Sequence, residues 1–201
     1  MAGKNEFAPA LFFLVGALLY LSFGFTEMAG SDLFWHVAGG REILDQQSLW
    51  LKDTWSYTKF GEPWDNHEWL ADIAYFLWVE VAGLSSLVYW KWAVIVATFC
   101  GLQLVLWRQT RSNVVATLLS LLALIVAAPF LDLRPHLYTL AGFVILLLMV
   151  VDRVPRLWSL ALLFLVWANV HGGFVFGLMA LSILLFPWRN LSGKSFVAYA
   201  R

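Results

Sequence analysis

Charge is what this chain has least of. Of its 201 residues only 13% are Asp, Glu, Lys or Arg, while 61% are hydrophobic; soluble domains carry roughly a quarter charged residues. The mean hydropathy is +0.75, a membrane composition. Lys and Arg number 13, as do Asp and Glu, so no basic footprint for nucleic acid exists. Cysteine is reduced to Cys100, inside an apolar run. That excludes a disulfide framework and leaves a small buried hydrophobe. The chain lacks G-x-S-x-G, Walker A, H-E-x-x-H and C-x-x-C sequences. Hydrolase, ATPase and thiol-redox readings therefore have no local support.

What is present is a series of apolar runs. A membrane span takes roughly 20 mostly apolar residues, and six runs fit at 8–28, 87–107, 113–131, 137–151, 157–171 and 174–188. The expected fold class is all-α: a polytopic membrane protein of about six transmembrane helices, one domain over 1–201. The first run is too long for a typical signal-peptide core and has no clear A-x-A site, so it reads as an uncleaved span. Lys91, near the outer end of the second run, is expected to snorkel to the interface.

Residues 69–83 are apolar but short, and contain Asp72 and Glu80. Basic residues at Arg108 and Arg111, Arg153 and Arg156, and Arg189 and Lys194 share one side only if a single crossing separates this segment from Arg108. It therefore reads as a helix lying in the outer interface. The loop 29–86 is then extracytoplasmic and both termini are cytoplasmic. Inside the loop, 33–44 has loose helical spacing interrupted by Gly39-Gly40, and 53–60 reads as extended before a turn at Gly61-Glu62-Pro63.

This loop is the polar exception. From Glu27 to Glu68 eight acids (Glu27, Asp32, Glu42, Asp45, Asp53, Glu62, Asp65, Glu68) face three bases (Arg41, Lys52, Lys59), a net of −5. Asp32 opens it, where a carboxylate can take a proton from a hydroxyl or simply cap a helix. Asp65, His67 and Glu68 stand between Trp64 and Trp69. They suit a polar ligand, with indole rings to stack on sugar faces, or else cap and anchor the next helix. Their spacing matches no standard zinc pattern, so no metal ligand is assigned, although a divalent cation stays open as a cofactor.

Asp132-Leu133-Arg134-Pro135-His136 forms an outer turn, with Arg134 offering a planar fork to phosphate or a partner to Asp132. Asn169 and His171 sit at the outer end of the fifth run, before Gly172-Gly173. No pair of histidines lies mid-span, so haem is not expected. The cytoplasmic loops are too short for a nucleotide site, so any substrate is lipid-borne or extracytoplasmic.

In order, D-L-F-W-H, G-R-E-I-L, W-S-Y-T-x-x-G-E-P-W, D-N-H-E-W-L, R-P-H-L-Y-T-L and W-A-N-V-H-G-G-F resemble the N-terminal half of the bacterial polytopic glycosyltransferases of the GT-C superfamily. These are related to protein mannosyltransferases, lipid A aminoarabinose transferases and oligosaccharyltransferases. The resemblance implies transfer of a sugar from a polyprenyl-phosphate carrier at the outer face of the bacterial inner membrane. It implies Asp32 as general base or metal-associated carboxylate. Asp65, His67 and Glu68 would line the cavity with His136, Asn169 and His171, and Arg134 would steady the leaving phosphate. The chain is then an N-terminal module of such an enzyme. The alternative is a non-catalytic membrane subunit that keeps the fold and packs against lipids and other membrane subunits.

Overall fold

The computed structural model describes residues 7–24, 30, 32–151 and 155–186. Among them are eight α-helices: α1 (Phe7–Phe23), α2 (Leu33–Gln46), α3 (Trp69–Ala82), α4 (Leu87–Thr110), α5 (Asn113–Ala127), α6 (His136–Val150), α7 (Leu157–Val170) and α8 (Phe174–Leu185). The all-α expectation holds. Two strands, β1 (Leu51–Lys52) and β2 (Pro63–Trp64), pair antiparallel with Leu51 opposite Trp64. The segment 53–60, expected to be extended, is instead the loop between them. The Asp53 carboxylate accepts the backbone N–H groups of Trp55 and Ser56, an Asx-type turn that competes with extension.

By length and composition, two helical stretches can cross a membrane: Leu84–Thr110 and Asn113–Phe130. The second gains its length from a single 3-10 turn, Ala128–Phe130, added to α5. The helices α1, α6, α7 and α8 are apolar but shorter, at 17, 15, 14 and 12 residues. The run expected at 8–28 is helical to Phe23, and residues 25–29 lie outside the described part, as do Arg153, Arg189, Lys194 and both termini.

Helix ends follow local chemistry. Arg111, in the left-handed region at φ 54°, stops α4, and extended Ser112 accepts the Val115 N–H to start α5. Pro135 precedes α6, where its missing N–H costs nothing. Two buried clusters hold the helices. Tyr20, Ile95, Phe99, Leu124, Leu131 and Leu137 join α1, α4, α5 and α6. Leu33, Ala71, Tyr75, Leu87 and Leu133 seat α2 and α3 on the end of the bundle. Buried Gln103 accepts the Tyr20 hydroxyl at 2.7 Å and donates to Thr117 at 2.9 Å, tying α1, α4 and α5 by polar contacts.

Two details depart from expectation. Gly39-Gly40 does not interrupt its helix: α2 runs through it, and the missing side chains let α3 pack against its backbone. Lys91 does not snorkel outward. Its side chain is 0% exposed, within electrostatic reach of the Asp132 carboxylate.

Candidate functional site

Three connections meet at one end of the bundle: the entry to α2, the α5–α6 turn and the α7–α8 turn. Asp32 occupies the N-cap position of α2, yet its side chain makes no cap hydrogen bond. Its Oδ2 instead lies 3.2 Å from Arg134 Nη1. Arg134 Nε is also 2.8 Å from Asp132 Oδ2, so one guanidinium bridges two carboxylates from separate loops. The Arg134 fork carries five N–H groups. His136 Nε2 sits 2.7 Å from the Phe130 carbonyl oxygen and 3.1 Å from Asp132 Oδ1.

Beside this bridge stands Glu68, the N-cap residue of α3. Three imidazoles surround its carboxylate: His171 Nε2 at 3.6 Å, His67 Nε2 at 3.8 Å and His36 Nε2 at 4.0 Å. Burial pushes the Glu68 carboxyl up from its ordinary value, opposed by His36 and His67 and assisted by Asp72. His171 accepts the Gly173 N–H at Nδ1 and pairs there with the Thr139 hydroxyl at 2.7 Å. Burial pushes its ring down, and the neighbouring imidazoles add to this.

A cavity of about 330 Å³ opens between these groups, lined by Asp32, His36, Asp53, Glu68, Trp35, Trp55 and Trp64. Its indoles form a continuous row, Trp35 to Trp55 at 5.1 Å and Trp55 to Trp64 at 5.2 Å between centroids, tilted by 60° and 65°. Asp53 is turned toward its own loop, its carboxylate held by Ser56; those bonds hold its carboxyl below the ordinary range. A second, apolar groove of about 680 Å³ lies between α5, α6 and α8, and His136, Thr139 and His171 form its polar edge. Among the described residues, the larger cleft of about 840 Å³ between α6 and α7 has Arg156 and Ser159 as its polar lining and neither acid nor imidazole.

The site residues named from sequence divide accordingly. Asp32 and Glu68 line the cavity, Arg134 backs Asp32, and His136 and His171 join the polar edge of the groove. Asn169 is a structural pin: its Oδ1 accepts the Trp69 indole N–H at 2.8 Å, tying α3 to α7. His67 stands at the rim with its side chain 71% exposed, and Asp65 is exposed outside the cavity lining. Two residues passed over in the sequence belong to the site, His36 and Asp72, joined at 2.7 Å. A usable signal was the spacing: His36 lies one turn after Asp32, and Asp72 one turn after Glu68.

Among the described residues no three His, Cys, Asp or Glu side chains converge as a metal site. Comparison with family models, curated proteins and solved structures gives no match.

Proposed function

We propose that this chain is an inner-membrane glycosyltransferase module of the GT-C type, moving a sugar from a polyprenyl-phosphate donor to an acceptor at the outer face. The observation that carries the reading is the cavity, where carboxylates from two helix entries face a row of three indoles. Pyranose rings present flat C–H faces to aromatic rings and hydroxyls to carboxylates. The adjoining apolar groove, with its polar edge shared through His171, suits a lipid chain whose phosphate lies beside Arg134 and His136.

In this scheme α1 and α4 to α8 are the six spans and α2 and α3 cap them outside. Their exposed apolar side chains support this, among them Leu118, Val126, Leu165 and Phe176, for which hydrocarbon is the natural surrounding. Asp32 takes the proton of the attacking hydroxyl. The new C–O bond forms at the anomeric carbon as the bond to the phosphate oxygen breaks, and the phosphate leaves with the electron pair. Arg134, between Asp32 and the phosphate, neutralises both.

The test is release or transfer of sugar from a polyprenyl-phosphate-linked hexose by the purified chain, run beside Asp32→Asn. A loss of about 100-fold or more in the variant is expected. Equal rates would reject Asp32, and no turnover by the parent chain would reject the reading.

A further inference from the structure

Asp72 is the most enclosed carboxylate at this end of the bundle, 1% exposed. Both its oxygens are committed. Oδ2 accepts the Asn66 amide N–H at 2.7 Å, and Oδ1 faces His36 Nδ1 at 2.7 Å. An ionised carboxylate only accepts, so the proton between them sits on His36 Nδ1, and in the neutral imidazole Nε2 is then the acceptor. The Tyr75 ring meets the imidazole edge-on at 6.2 Å and fixes its plane. A Cβ on Gly39 would approach Asp72 Oδ2 to 2.8 Å, so the glycine keeps room for the pair.

Nε2 faces Glu68, another residue of the cavity lining. His36 lines the cavity with Asp32, one helical turn earlier on the same face of α2. Beyond Nε2 stand Glu68 Oε2 at 4.0 Å and then His67, 3.8 Å from Glu68 Oε1 and open to solvent. The titratable groups facing His36 are therefore Asp32 on its own helix, Asp72 and Tyr75 on α3, and Glu68 at the entry to α3. His67 and His171 stand behind Glu68.

We propose that His36 is the proton-relay residue of this cavity. The proton that Asp32 takes from the acceptor hydroxyl passes to His36 Nε2 and leaves past Glu68 and His67, while Asp72 holds the ring in the receptive tautomer. Asp32 thereby returns to its carboxylate form for the next turnover, and the one proton lost by the acceptor hydroxyl is released to solvent. The inference rests on the sugar-transfer reading and adds its proton exit. Asp72 acts through His36 and is a positioning residue.

The experiment is steady-state release of sugar from a polyprenyl-phosphate-linked hexose by the parent chain and by His36→Ala, His36→Gln and the rim variant His67→Gln. For His36→Ala, kcat should fall about 10- to 100-fold with KM unchanged. Added imidazole, which fits the space left by the ring, should restore kcat in proportion to its concentration. His36→Gln keeps an amide N–H for Asp72 and should match the loss without rescue. His67→Gln, altered only at the surface, should lose about 2- to 5-fold in kcat. An active parent with unchanged kcat in the His36 variants, a His36→Ala loss that imidazole does not relieve, or a loss confined to KM overturns the relay alone. An inactive parent overturns the transferase reading and the relay with it.

Discussion

Gly40 of α2 and Asp72 of α3 touch backbone to backbone: a Cβ built on the glycine would stand 2.1 Å from the Asp72 carbonyl oxygen. Backbone cannot swing aside as a flexible side chain can. Gly40→Ala should therefore force α2 from α3 and destabilise the protein by about 1–3 kcal/mol or more. At Gly172 a Cβ would meet His67 at an ordinary 3.8 Å. Thermal unfolding in detergent should show a lower Tm for Gly40→Ala and little change for Gly172→Ala.

Arg134 separates function from stability. Its ion pairs lie where the side chain is 35% exposed and that of Asp32 48%, and exposed pairs contribute about 0–1 kcal/mol. Arg134→Gln should leave Tm almost unchanged. If the proposed transferase reading holds, it should nonetheless lower sugar release at least tenfold, because Asp32 and the departing phosphate would lose their shared counter-charge. A large fall in Tm with full specific activity would contradict this.

The raised Glu68 carboxyl gives a pH dependence of definite sign. Its native form favours the proton, so its contribution to stability is complete below the ordinary value of 4.5 and is lost as pH rises through the elevated native value. Glu68→Gln removes that loss. The variant should be more stable than the parent at about pH 8, and the difference should shrink toward pH 4.5. Asp53 has the opposite sign: its lowered carboxyl stabilises above 3.8, and this is lost as pH falls through its native value. Asp53→Asn should cost stability at neutral pH and less in acid.

Inside the bundle, Gln103 is the joint to test. Tyr20→Phe removes the hydroxyl it accepts from and should cost about 0.5–1.5 kcal/mol. Gln103→Leu should cost more, because the Tyr20 hydroxyl and the Thr117 contact both lose their partner. Unfolding of the single and double variants should give a total smaller than the sum.

Some of this was readable from sequence. The ends of α4 to α7 fall within a few residues of the expected runs because Arg111-Ser112, Pro135 and Pro155-Arg156 mark them chemically. Helices α2 and α3 were also readable, the first from loose helical spacing and the second as a short apolar run. What escaped was whatever depends on a partner distant in the chain. Gly39-Gly40 looks like a break until a second helix is laid across it. Lys91 looks like an interface residue until Asp132, 41 positions on, comes beside it. His36 and Asp72 are an unremarkable histidine and a lone acid until the contact between α2 and α3 joins them across 36 positions. The indole row needed the turn at Asp53, which local hydrogen bonds set against the extended pattern.

The hydrogen bond from Trp69 to Asn169 joins residues 100 positions apart, and Glu68 meets His171 across a similar interval. This sets an order of construction. The loop between α1 and α3 leaves the ribosome early, but Asn169 and His171, which meet Trp69 and Glu68, follow only with the end of α7. At about 5–20 residues per second of synthesis, roughly 5–20 s separate the two. Through that interval Glu68 and Trp69 await these partners, and the contacts that tie α3 to α7 form only once both helices have been made.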